Sequence, residues 1–164
     1  MPSTSELNDL LERFRRGAEL VAVVTTGAAG AELDYSPAPG KWSVRQIVCH
    51  LADSEIVGRD RFSRVIAEDN PTIVAYDQDA WAEKLGYRQR KFSQALETFR
   101  RMRGENFELL KDQPEETWAR TGTHSERGPV SLAVMLSVYA EHAEKHARQI
   151  RSARDAYKAS KSAG

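Results

Sequence analysis

The stretch from Ser131 to Tyr157, SLAVMLSVYAEHAEKHARQIRSARDAY, constrains this chain more than any other. It reads as a helix of about seven turns. With each residue advancing about 100°, Met135, Tyr139, His142, His146, Ile150 and Ala153 fall on one stripe. The charged residues Glu141, Glu144, Lys145, Arg148 and Arg151 fall on the opposite side. An apolar stripe of this kind is buried against other helices. His142 and His146 therefore sit near the centre of a buried face rather than at its edge. At i and i+4 their Cβ atoms lie about 5–6 Å apart, close enough for two imidazoles to share one metal ion. Such a site needs a third ligand.

Three further helices are legible. The first runs from about Thr4 to Thr26, with Ser3 and Glu6 as a capping box and Leu7, Leu10, Leu11, Phe14, Ala18 and Val21 as its apolar stripe. Gly27 and Gly30 end it, and turn residues follow from Asp34 to Gly40. The second starts at Ser43 with Gln46 three residues on, and Trp42 is placed to pack on Ile47. Val44, Ile47, Val48 and Leu51 form its apolar face, and Asp69-Asn70-Pro71 breaks it. The third spans roughly Arg88 to Lys111, with Phe92, Leu96, Phe99, Phe107 and Leu110 on one stripe. A shorter helical piece lies around Asp77 to Lys84.

No segment shows strand-like alternation. The expected fold is all-α, a four-helix bundle with long inter-helix loops. Residues 1–157 form one domain, and 158–164 are a small, polar, flexible tail. The loop from Pro114 to Val130 is long for a bundle connection, as a segment covering a site would be.

Charge narrows the function. Twenty-four basic residues balance twenty-four acidic ones, which argues against general affinity for nucleic acid or an anionic membrane. No apolar run approaches the length of a membrane span. Residues 17–31 superficially resemble a signal segment after Arg15 and Arg16, but Glu19 and two threonines interrupt them. One cysteine excludes an intramolecular disulfide framework and fits a reducing cytosol. The expectation is a soluble cytoplasmic protein acting on a small molecule.

His50, on the flank of the second helix's apolar face and in line with Ser54 and Val57, is the candidate third ligand. Cys49 beside it is expected to point away from the core, partly exposed. His124 lies in turn chemistry and stays outside the set. The segment His142-Ala-Glu-Lys-His146 is not the HExxH protease motif, because Glu144 is in the wrong place and faces outward. Glu55 and Arg103 each fall on the apolar stripe of their own helix, where an unpaired charge is costly, so they are expected to pair. If that pair approaches the histidines, Glu55 could take a proton from a metal-bound water with Arg103 orienting it.

The runs PAPGKWSVRQIVCHLADSE, YDQDAW, TGTHSERGPVSLAVML and EHAEKHARQI together resemble the DinB/YfiT-like superfamily, over about Tyr35 to Ile150. The resemblance implies a four-helix bundle carrying a divalent metal on His50, His142 and His146. Zinc, nickel, iron and manganese all suit such ligands. It also implies a metal-dependent hydrolase using activated water, or an S-transferase or isomerase using a low-molecular-weight thiol. The alternative is a non-catalytic, stress-related bundle that binds a metal or ligand. Where the family often has an aspartate, just after the first histidine of the pair, this chain has Ala143. The family's habit of pairing implies a homodimer, with Trp81, Tyr87 and Trp118 available as contacts outside the four helices.

Overall fold

Four long helices carry the chain, and serine caps fix where two of them begin. The computed structural model describes residues 2–162. Helix α1 (Thr4–Thr25) starts at Ser3, whose hydroxyl accepts from the Glu6 N–H while the Glu6 carboxylate accepts from the Ser3 N–H. Helix α2 (Val44–Ala67) starts in the same way at Ser43 and Gln46. Each box satisfies N–H groups that the first helical turn leaves unpaired. A short α3 (Gln78–Lys84), capped by Asp77, precedes α4 (Phe92–Leu110) and α5 (Leu132–Ser162). Helix α5 continues through residues 158–162, where the sequence suggests a flexible tail; those residues are helical with exposed side chains, and 163–164 lie outside the described residues.

The packing order differs from the chain order. Helix α1 lies chiefly against α5 and α4, and α2 chiefly against α4 and α5. The consecutive pairs α1–α2 and α4–α5 therefore sit across the bundle from each other. Tight helix–helix turns of a few residues suit neighbours, not diagonals. Residues 26–43 and 111–131 are long because they cross the bundle ends.

The second crossing and the segment after α2 hold strands where the sequence shows no alternation. Strands β1 (Thr72–Ile73), β2 (Thr121–His124) and β3 (Gly128–Ser131) form a small sheet, with β1 parallel to β2 and β2 antiparallel to β3. Gly122 permits the close pairing, since a Cβ there would come within 2.9 Å of both Ile73 Cγ1 and Pro71 O. Arg120 donates to Val65 O at 2.9 Å and Glu68 O at 2.8 Å, tying the hairpin to the unpaired carbonyls ending α2.

Two apolar clusters fill the bundle, one around Val48, Leu51, Phe99 and Ile150 and the other around Phe14, Phe62, Leu110 and Leu136. Between them lies Arg103, 1% exposed. Its Nη2 donates to Glu55 Oε2 at 2.8 Å and Tyr139 O at 3.2 Å, and its Nη1 to Phe14 O at 2.9 Å. Asn106 donates to Glu55 Oε1 at 2.9 Å. The guanidinium is 4.0 Å from the Phe14 ring centroid and 5.2 Å from that of Phe99. Gly17 makes the room: a Cβ there would stand 2.7 Å from Arg103 Nη1 and 2.8 Å from Ala143 Cβ.

Two expectations about exposure are corrected. Cys49 is fully buried, its thiol 3.8 Å from Tyr87 O, because the segment after α3 covers the side of α2 turned away from α4 and α5. Burial pushes that thiol up to about 11, which keeps it protonated and unreactive. Tyr87 and Trp118, candidates for a dimer contact, are 0% and 3% exposed inside this chain's own core, while Trp81 packs on Tyr76 at 4.4 Å.

Removing one partner of the buried pair, by Glu55→Gln or Arg103→Met, should destabilise by about 3–5 kcal/mol, since the other charge is left stranded. The double variant should lose less than the sum of the two in urea unfolding. Gly17→Ala, with no flexible neighbour able to yield, should cost about 1–3 kcal/mol in the same measurement.

Candidate metal centre

Three imidazoles from two neighbouring helices meet beside the cleft between α2 and α5. His50 lies in the second turn of α2, just past its serine cap, and is 1% exposed. His142 and His146 project from successive turns of α5, His142 half-buried and His146 7% exposed. His142 Nε2 stands 2.8 Å from His50 Nε2 and 3.1 Å from His146 Nε2. One nitrogen from each ring falls within 4.8 Å of the other two. The structure thus brings together the three histidines that the sequence singles out.

The protonation states follow from the surroundings. Burial lowers His50 to about 3, with the His146 ring adding repulsion. Burial likewise lowers His142 to about 2, with both neighbouring imidazoles contributing. His146 is also lowered, mainly by burial, against a raising hydrogen bond to Gln149. All three rings are therefore neutral at pH 7, the form that binds metal. His146 Nδ1 lies 2.7 Å from Gln149 Oε1. An amide oxygen only accepts, so the His146 proton sits on Nδ1 and its Nε2 lone pair faces the other two rings. A proton on His142 Nε2 satisfies only one of its two close contacts. A cation satisfies all three lone pairs, and the three-nitrogen set suits zinc, nickel, iron or manganese. His50 has no such hydrogen bond at its far side, because its Nδ1 is buried without a partner. The Trp42 ring, 5.0 Å away, holds its orientation instead.

A cleft of about 320 Å3 opens onto His142 and His146, walled by Arg61, Tyr76, Tyr139 and the hairpin residues His124 and Arg127. His124 thus faces the same cleft but does not join the three rings. Glu55 does not line it, and its two carboxylate oxygens are taken by Arg103 and Asn106. Ala143, at the family's aspartate position, is buried facing α1 at Gly17, where a longer side chain has no room. Gln149, Arg61 and Tyr139 emerge here without having been singled out for the site in the sequence. Gln149 sits one turn beyond His146, and that spacing is its only sequence signal.

The DinB superfamily profile matches residues 13–150. The chain belongs to the DinB superfamily. Among curated relatives of this DinB chain, a protein of Oceanobacillus iheyensis is 34% identical over 121 residues, spanning 74% of this chain and 70% of its own length. A Bacillus cereus protein is 33% identical over 123 residues, spanning 75% and 70%. Both carry the name "Putative metal-dependent hydrolase". Among solved structures, YfiT from Bacillus subtilis, described as "a probable metal-dependent hydrolase with an unusual four-helix bundle topology", superposes with a TM-score of 0.87 at 24% identity, over 93% of this chain and 88% of YfiT. A mycothiol-dependent maleylpyruvate isomerase superposes with a TM-score of 0.73 at 14% identity, over 92% of this chain and 63% of the isomerase. At these identities the two likenesses carry the DinB fold. No described helix of this DinB chain is long and apolar enough to cross a membrane.

The buried histidines make acid stability informative. Their folded pKa values lie below the ordinary 6.5, so below that pH the unfolded DinB chain binds more protons than the folded one. Metal-free protein should keep its full stability above about pH 6.5 and lose it progressively as the pH falls toward about 3, with a shallower loss in His50→Phe. Thermal unfolding across that range measures both.

Proposed function

We propose that His50, His142 and His146 hold one divalent metal ion, and that the protein is a metal-dependent hydrolase acting on a small molecule bound in the adjoining cleft. The observation that carries this reading is the convergence of three neutral imidazoles, two buried and one half-buried, with Gln149 holding the His146 proton on the far nitrogen. A divalent ion held by three histidines keeps positions open, lowers the pKa of a coordinated water or thiol, and polarises a substrate oxygen. Zinc, nickel, iron and manganese are the candidates.

The chain's own side chains orient rather than abstract protons. Glu55 is committed to Arg103 and Asn106, and Asp53 to Tyr87 and Arg90. The one carboxylate lining the cleft, Glu126, is exposed at its rim. Among the described residues no buried carboxylate is free at this cleft to act as base. A metal ion held by the three histidines would therefore supply the acidity that a nucleophile needs at neutral pH. A second reading, thiol transfer or isomerisation, is favoured by another opening beside His146 of about 640 Å3, lined by Pro37, Ala38, Trp42 and Ala153. That opening gives a second organic reactant a route to the same histidines.

Metal analysis of the purified protein should find about one equivalent of a first-row divalent ion. His50→Gln, His142→Gln and His146→Gln should each remove it, while Gln149→Leu should weaken affinity by about 10–100-fold. Metal content unchanged in all three histidine variants would falsify the assignment. With metal established, parallel screens of ester and amide hydrolysis and of thiol addition to small electrophiles separate the two readings.

A further inference from the structure

Arg61 and Tyr139 stand in the cleft wall in an arrangement that the folded chain does not use up. Arg61 is half-buried on α2. Its Nη2 donates to Val74 O at 2.7 Å, its Nη1 makes a long contact of 3.4 Å to the Tyr139 hydroxyl, and the group stands 5.8 Å from the Tyr76 ring centroid. These contacts fix the guanidinium, yet no carboxylate lies within ion-pair distance of it among the described residues. A guanidinium offers five N–H groups, and three remain here without a protein acceptor.

Tyr139 is equally fixed and equally unspent. The residue is 5% exposed, and its ring packs at 5.1 Å on Phe62. Gly58 on α2 leaves the space, since a Cβ there would stand 2.7 Å from the Tyr139 ring. Its oxygen accepts from Arg61, so its own O–H proton has no acceptor among the described residues and is free for the cleft. Burial raises the hydroxyl's pKa, so it stays a donor at every physiological pH. One helical turn before His142, its ring lies 6.4 Å from that imidazole.

We propose that Arg61 and the Tyr139 hydroxyl form an anion clamp in the wall of the cleft onto which His142 and His146 open, and that the small molecule bound there carries a carboxylate. Its identity as the substrate rests on the metal-centre reading, whereas the clamp itself does not. A fixed guanidinium in a partly desolvated wall gains more from an anion than from water. Arg127 and Lys145 also line the cleft, so with Arg61 its walls carry three cationic groups against the single acidic residue Glu126 among the lining residues. One guanidinium edge beside one hydroxyl matches the two oxygens of a carboxylate. The clamp would hold that group while a bond elsewhere in the molecule faces the histidines, making Arg61 and Tyr139 specificity-determining.

Calorimetric titration with phenylacetate and its uncharged isostere phenylacetamide tests the clamp, on both metal-free and zinc-loaded protein. Wild-type protein should prefer the carboxylate by about tenfold or more in both forms, as a charge-assisted bond implies. Arg61→Gln should bring the two affinities within about twofold of each other. Tyr139→Phe should weaken phenylacetate about fivefold and phenylacetamide less. Arg61→Lys should retain part of the preference, which a merely structural role for the arginine would not produce. Equal affinities in the wild type, an undiminished preference in folded Arg61→Gln, or no phenylacetate binding at millimolar concentration would each overturn the clamp. A preference seen only with zinc bound would also overturn it, because the metal alone would then hold the anion. Protein that takes up no zinc yet prefers phenylacetate would retain the clamp and remove the metal-centre reading.

Discussion

A single guanidinium reaches all the other long helices of this bundle. From α4, Arg103 touches Phe14 on α1, Glu55 on α2 and Tyr139 on α5, at a level where the two apolar clusters meet. Replacing a buried ion pair by apolar residues of similar volume is often neutral or stabilising, so its value is not in added stability. What it supplies is a choice between packings. Rotating or sliding any one helix separates Arg103 from a partner and strands a buried charge, a penalty of several kcal/mol. The correct register of α2 against α5 is also the one that brings His50 to His142 and His146. The clasp does not enter the candidate site, but it sets the spacing on which the site depends.

The histidines show how burial alone prepares a donor set. Near pH 7 an exposed histidine is partly protonated, and a cluster of three would repel itself. Here desolvation keeps each ring neutral, and the hydrogen bond to Gln149 determines which nitrogen of His146 faces inward. The contrast within the site is instructive: His146 is oriented by a polar contact, His50 by packing against Trp42. The same serine cap that begins α2 places Trp42 immediately outside the helix, so local capping chemistry and site geometry are one arrangement.

Much of this was legible because helical period carries it. The stripe on α5, the i and i+4 histidines, both capping boxes and the inward Glu55 and Arg103 all follow from turn spacing and residue type. The family resemblance drawn from the spaced motifs agrees with the superfamily match. What stayed hidden has no periodic signal. Strands of two to four residues are too short to show alternation. Cys49 looked exposed on a helical wheel because a wheel knows nothing of the irregular segment around Tyr87 that covers α2 from outside. The cleft walls draw on α2, the segment around Tyr76, the hairpin and α5, and no local pattern announces that they meet.

The diagonal placement of consecutive helices has a consequence for how the molecule comes into being. Arg103 is synthesised long after Phe14 and well before Tyr139, with sequence separations of 89 and 36 residues. His50 waits 92 residues for His142. A nascent chain emerging from its amino end therefore holds a charge destined for the interior, and one isolated histidine, with no means of completing either arrangement. Neighbouring helices in a simple up-and-down bundle could zip together as they appear. Here helices α1, α2 and α4 can pack as they appear, since α4 lies against both others. The face that α5 covers and the set of three histidines stay incomplete until α5 follows, so the candidate site forms last.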